Sequence, residues 1–85
     1  MIFFKDKPFA IGGETNEKPQ KSVEVYTEST DTWSSYEDLQ KARKGHAACV
    51  VNDEYIYVFC GESHFNYCLN SIERLSYEIG KWELL

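Results

Sequence analysis

Two tryptophans separated by 49 positions, each preceded by the same short motifs in the same order, constrain this chain more than any other feature. Trp33 and Trp82 are the only tryptophans. Ser22-Val23-Glu24-Val25 and Ser71-Ile72-Glu73-Arg74 stand at the same offset of 49. Phe9-Ala10-Ile11-Gly12-Gly13-Glu14 aligns with Tyr57-Val58-Phe59-Cys60-Gly61-Glu62 at an offset of 48. The one-residue difference falls in a polar loop, where an insertion is tolerated. A period near 50 residues is longer than that of helical repeats. The chain is therefore read as two copies of one supersecondary unit.

The local pattern predicts that the unit is made of strands. Ala47-Ala48-Cys49-Val50-Val51 and Tyr55-Ile56-Tyr57-Val58-Phe59-Cys60 are apolar, β-rich runs joined by Asn52-Asp53-Glu54, which reads as a hairpin. Both runs are apolar at consecutive positions, so each is expected to be covered on both faces. Gly61 ends the second run. Residues 71–77 and 81–85 supply two more strands around Glu78-Ile79-Gly80. Four antiparallel strands in about 40 residues make one propeller blade. Residues 35–44 compete as a helix, with a capping-box-like Ser35 and Asp38 and a stop at Gly45. Their only apolar positions are Tyr36, Leu39 and Ala42, too few for a packed helical face. The segment is predicted as a connection between blades with at most one helical turn.

These residues resemble the kelch repeat family. Its pattern of Arg-x-x-His, an apolar strand, a second strand closing in paired glycines, a third strand and a following Trp reads here as Arg43-Lys44-Gly45-His46, residues 47–51, residues 55–61, Ile72-Glu73-Arg74-Leu75 and Trp82. An earlier copy contributes Gly12-Gly13, Val23-Glu24-Val25-Tyr26 and Trp33. The resemblance covers residues 8–84. Cys60 stands where the pattern has a glycine and Leu75 where it has a tyrosine, both tolerable within a strand. The resemblance implies an all-β chain of four-stranded antiparallel blades from a kelch-type β-propeller. Residues 1–37 would be a partial first blade holding strands two to four, and residues 38–85 a second. The missing first strand is either absent or in residues 1–6. With under two blades, where closed propellers use about 4 to 8, the chain is expected to be a fragment or to close a ring by assembly.

Composition narrows the function. Nine Lys and Arg against 14 Asp and Glu give a net charge of −5, which disfavours nucleic acid and anionic membrane surfaces. No apolar run approaches the roughly 20 residues of a membrane helix, and no secretory signal pattern opens the chain. Three cysteines form no disulfide framework, so a reducing, cytoplasmic compartment is expected. Gly12-Gly13 lacks the Lys-Ser/Thr and helix of a phosphate loop. Gly61-Glu62-Ser63 is no nucleophile elbow, and the scattered carboxylates make no glycosidase pair. His46, Cys49, Cys60, His64 and Cys68 are zinc-compatible types, but their spacing lacks tight Cys-x2-Cys knuckles, and Cys49 and Cys60 sit in apolar runs as small hydrophobes. No catalytic residue, metal or cofactor is expected. Trp33, Trp82 and Tyr26 are expected in the core.

The expected role is a protein-interaction module. Antiparallel alternation puts the loops between second and third strands on the same face as the connections between blades, so residues 14–21, 34–44 and 62–69 should share one surface. Of these, 14–21 is polar throughout and reads as a solvated loop. The later loop carries His64, Phe65, Asn66 and Tyr67, an aromatic and polar mixture suited to a contact hot spot, and Arg43 is expected to add a charge-assisted contact to an acidic partner. The kelch resemblance implies a substrate-recruiting arm of a ubiquitin ligase or a cytoskeletal scaffold. The alternative it carries is a fragment of an enzyme such as an oxidase or sugar isomerase. A protein partner is expected, together with self-association through uncovered blade faces.

Overall fold

The computed structural model describes residues 1–16, 18–63 and 68–85. In chain order the strands are β1 (Ile2–Phe4), β2 (Lys7–Ile11), β3 (Glu14–Thr15), β4 (Lys18–Pro19), β5 (Val23–Thr27), β6 (Thr32–Tyr36), β7 (Ala47–Val51), β8 (Tyr55–Phe59), β9 (Ile72–Ser76) and β10 (Trp82–Leu84). They form two four-stranded sheets, β1-β2-β5-β6 and β7-β8-β9-β10, each antiparallel throughout, and a small β3-β4 hairpin. Among the described residues no segment is helical, so 37–46 is an irregular connection without the helical turn that its capping residues suggested.

One expectation needs correcting. The first unit is a sheet of four strands rather than strands two to four alone: Ile2-Phe3-Phe4 pairs with Phe9-Pro8-Lys7, so of the two alternatives for its first strand the one within residues 1–6 holds. Three apolar residues ahead of a charged turn are enough for this short strand. The connection also starts later than expected, since Ser34, Ser35 and Tyr36 belong to β6.

Period-two alternation decides what is buried. In the first sheet Phe4, Phe9, Ile11 and Val23 project to one side, and in the second Ile56, Val58, Leu75 and Trp82 do. These eight side chains and Leu39 of the connection make a single core between the sheets. Phe9 meets Phe4 and Tyr36 edge-on, with ring centroids 5.7 and 5.3 Å apart, the geometry that aromatic quadrupoles favour. At one end the two hairpin turns are tied together. The Lys5 N–H donates to Asp53 Oδ1 at 3.1 Å, and its ammonium lies 3.7 Å from Oδ2.

The outward faces differ from expectation. Trp82 is 3% exposed, but Trp33 is 43% exposed and stacks only on Tyr26, because no sheet lies against that side of β5 and β6. The far side of the second sheet carries exposed Cys49, Val51 and Ile72 beside half-buried Tyr55, Tyr57 and Phe59. The run β8 is thus covered fully on one face only, and β7, whose Ala48 and Val50 are half-buried, on neither. Cys49 and Cys60 are exposed thiols rather than buried small hydrophobes.

The ends of β2 and β8 show what the paired glycines do. Gly12 and Gly13 have φ of 59° and 100°, and Cys60 and Gly61 have 63° and 89°. A Cβ on Gly61 would stand 2.8 Å from the Lys44 carbonyl oxygen and 2.9 Å from His46 Cβ, so only glycine fits. Cys60 lies just beyond β8 in the left-handed region, where an L side chain is strained by about 1–2 kcal/mol. It is therefore not a strand substitution. Part of the gain from relieving that strain is offset by the added freedom of a glycine in the unfolded chain. Cys60→Gly should stabilise the fold by about 1 kcal/mol, read as a higher urea midpoint at unchanged slope; an unchanged or lower midpoint would show that the position carries no strain.

Candidate protein-binding cleft

The connection is held by a buried ion pair. Arg43 and Glu73 are both 0% exposed, with Arg43 Nε and Nη2 each 3.1 Å from Glu73 Oε2. Arg43 Nη1 also donates to the Cys60 and Ser71 carbonyls at 2.9 Å, and Nη2 to Ser71 Oγ at 2.9 Å. Glu73 accepts two backbone N–H bonds, from Gln40 at 2.5 Å and Lys41 at 3.1 Å. Trp82 donates its indole N–H to the Glu37 carbonyl at 2.9 Å and accepts from Gln40 Nε2 at 3.0 Å. A charge removed from water is tolerated only when it is paired and its remaining donors are met, and this pair satisfies both conditions.

Backbone bonds then lace three segments onto one face. Arg43 N–H donates to the Gln20 carbonyl at 3.0 Å and its carbonyl accepts from Gly13 at 2.8 Å. Leu39 N–H reaches Lys21 O at 2.8 Å, and Lys44 and Glu62 exchange bonds of 3.0 and 2.8 Å. Glu62 pairs in turn with Cys68. Residues 14–21, the connection and the base of the 62–69 loop do share one surface, as antiparallel alternation requires.

These segments surround a cleft of about 630 Å³. The β3-β4 hairpin contributes Lys18 and Pro19, the chain just after it Lys21, the connection Lys41 and Ala42, and the later loop Leu69. The lining thus combines three lysines with apolar Pro19, Ala42 and Leu69, and no carboxylate is among the described residues that line it. A second hollow of about 170 Å³, lined by Ile2, Phe9, Ile11 and His46, is small for a ligand pocket.

His46 occupies the seam between the sheets. A Cβ on Gly12 would lie 3.1 Å from its Cε1, and Gly61 packs on its Cβ and Cα. Its Nδ1 is buried without a hydrogen-bond partner. Burial pushes the imidazole pKa below its ordinary value; the Ile11 carbonyl opposes that shift, and the Arg43 charge adds to it. His46 thus acts as a neutral spacer, made possible by glycines on both neighbours. No group of three or more His, Cys, Asp or Glu among the described residues is placed to hold a metal.

The nominated site residues fare unequally. Arg43 is not available to a partner, because its guanidinium is consumed by Glu73, Cys60 and Ser71. His64, Phe65, Asn66 and Tyr67 lie outside the described residues. Lys18, Lys21 and Lys41 are not marked as a set by the sequence, because residues 14–21 read as a solvated loop and Lys41 lies in a separate segment. The expectation that 14–21 and 34–44 share a face already held the signal that joins them. Lys44 faces elsewhere, 3.5 Å from Glu14.

The Kelch motif family matches residues 5–40 and 42–85. The chain is 38% identical over 68 residues to "Kelch repeat and BTB domain-containing protein 2" of ectromelia virus (strain Moscow), covering 79% of this chain and 12% of that protein. It is 33% identical over 78 residues to the protein of the same name in cowpox virus (strain GRI-90 / Grishak), covering 86% and 14%. It is 32% identical over 64 residues to "Kelch-like protein 36" of Bos taurus, covering 75% and 10%. The chain thus spans about a tenth to a seventh of the length of these relatives.

The ion pair is the testable core of this arrangement. Arg43→Ala leaves the Glu73 carboxylate buried and unpaired and should cost about 3–5 kcal/mol. Glu73→Ala should cost a similar amount, and the double variant less than the two combined. Urea unfolding of the four proteins checks this; strict additivity would show that the pair does not hold the connection.

Proposed function

Because this chain belongs to the kelch repeat family, we propose that it is a protein-interaction module whose working surface is the cleft between the β3-β4 hairpin, the connection and the 62–69 loop. The observation that carries the reading is the convergence of these three segments around one open cleft, held by backbone bonds and a buried ion pair. Rigid strands that present variable loops make a binding surface. His64, Phe65, Asn66 and Tyr67 lie in the sequence between Ser63 and Leu69 and are retained as candidate contact residues. The relatives' names join kelch repeats to a BTB domain, which favours substrate recruitment to a ubiquitin ligase over a cytoskeletal scaffold. The setting proposed is cytoplasmic.

The test is quantitative capture from cytoplasmic extract with the full-length protein and its Leu69→Arg variant. At least one captured protein should be depleted about tenfold or more by the substitution, a loss of about 1.4 kcal/mol in affinity, at unchanged melting temperature. For the ligase reading, that protein should also lose ubiquitin conjugates. Identical captured sets would remove the cleft as the working surface; loss of capture with unchanged ubiquitylation would favour the scaffold.

The outward faces support self-association as well. The exposed side of the second sheet, with Tyr57, Phe59 and Ile72, is the repeat equivalent of the side of the first sheet, with Phe9, Ile11 and Val23, that is already buried. The exposed side of the first sheet, with Glu24 and Trp33, is likewise equivalent to the buried side of the second, with Glu73 and Trp82. Each open face therefore matches the kind of surface that covers the other, and apolar surface of this sort drives association. The 85-residue chain should scatter light increasingly with concentration, and Tyr57→Glu should reduce this. A monodisperse monomer throughout the range would dismiss the idea.

A further inference from the structure

The charge distribution at the cleft runs against that of the whole chain. With a net charge of −5, cationic side chains should mostly be matched by carboxylates. Lys5, Arg43, Lys44 and Arg74 are, pairing with Asp53, Glu73, Glu14 and Glu83. That leaves Lys7, Lys18, Lys21, Lys41 and Lys81 of the nine, and among the described residues none of these five forms an ion pair. Three of the five line one cleft, and they arrive there from two segments about twenty positions apart in the chain. All three are exposed, so no internal structural need explains their convergence.

Resting on the interaction-module reading, we propose that this cleft is a docking site for an acidic, Asp- and Glu-containing peptide segment of a partner protein. The lysines supply separate point charges around the rim, suited to carboxylates spaced along an extended chain. The side-chain amides of Gln20 and Gln40 donate to the Lys18 and Trp82 carbonyls, and each keeps a second N–H for the peptide's backbone. Pro19, Ala42 and Leu69 accept apolar side chains between the acidic ones. A phosphorylated segment fits less well, because phosphate is best held by a guanidinium fork and the one arginine nearby is already bound to Glu73. Nucleic acid would be repelled by the rest of the surface, because like charges act over roughly a Debye length, about 10 Å at 0.1 M salt.

The probes are short fluorescein-labelled peptides that alternate Glu with Leu, Gln with Leu, or phosphoserine with Leu, and a single-stranded oligonucleotide. They are titrated by fluorescence anisotropy against the 85-residue chain. The Glu peptide should bind at least about tenfold more tightly than the Gln peptide, and more weakly as salt rises from about 50 to about 300 mM. The triple variant Lys18→Glu, Lys21→Glu, Lys41→Glu should lose about tenfold or more, while Lys81→Glu, outside the cleft, loses nothing. If charge reversal impairs folding, the triple Gln variant serves with the same expectation. Equal binding of the Glu and Gln peptides, tighter binding of the phosphopeptide or oligonucleotide, or an unaffected triple variant would each overturn the proposal. If Leu69→Arg still abolishes capture while the triple variant does not, the cleft binds protein but its partner is not acidic, and the module reading stands alone.

Discussion

The buried pair of Arg43 and Glu73 is the contact on which the rest of the structure depends. An irregular connection has no ladder of its own, so its backbone groups need partners from elsewhere. Glu73, projecting from the middle of β9, meets two of them at Gln40 and Lys41 and neutralises Arg43. Arg43 in turn reaches the chain just beyond β8 and just before β9 through Cys60 and Ser71. The pair thereby sets where the connection turns, which places Leu39 in the core, His46 between Gly12 and Gly61, and Lys41 at the rim of the cleft. Replacing such a pair by apolar residues of similar volume is often harmless elsewhere. Here it would leave the Gln40 and Lys41 N–H groups without an acceptor, so the carboxylate has a second role that an apolar residue cannot fill.

The repeat gives this arrangement a direction. Glu24 is the sequence equivalent of Glu73 and stands at the same place in the third strand of its sheet, yet it is exposed and Arg43 is spent on the later copy. One carboxylate is buried and the other solvated because only the second sheet has a connection folded across that side. The two sheets therefore stack as successive copies, with one face of the first against the opposite face of the second. Stacking of this heterologous kind leaves unlike surfaces open at its two ends, which is why Trp33 and Trp82, identical in register, differ so widely in exposure.

Much of the fold was legible from the chain alone, because strands declare themselves by pattern. The hairpin of β7 and β8, the third and fourth strands and the shared face of three loops all follow from apolar runs, turn residues and antiparallel alternation. What escaped depends on contacts between distant positions. Arg43 sits between Lys41 and Lys44 and looks solvated; its burial is visible only once Glu73, thirty positions later, is placed beside it. Cys60 stands where the earlier copy has Gly12, a sign of positive φ that is masked by the apolar run before it until the strand is seen to stop at Phe59. The exposure of Cys49 and Trp33 depends on which neighbour covers a face, and residue type carries no information about that.

The cleft is the least legible part for a related reason. A lysine on a loop has no periodicity to betray its role, and 18, 21 and 41 belong to segments that are separate in the chain. Their meeting is a consequence of the backbone bonds from Leu39 to Lys21 and from Arg43 to Gln20, in a connection that the ion pair also holds to the second sheet. Buried and exposed charges have thus been divided between neighbouring residues of one segment. Arg43, with its rigid fork of donors, is turned inward where several acceptors must be met at once. Lys41, only two positions earlier, holds Glu73 through its backbone N–H and leaves its ammonium at the surface. A single stretch of chain can therefore anchor the sheets and charge the cleft, because main chain and side chain of the same residue are put to different uses.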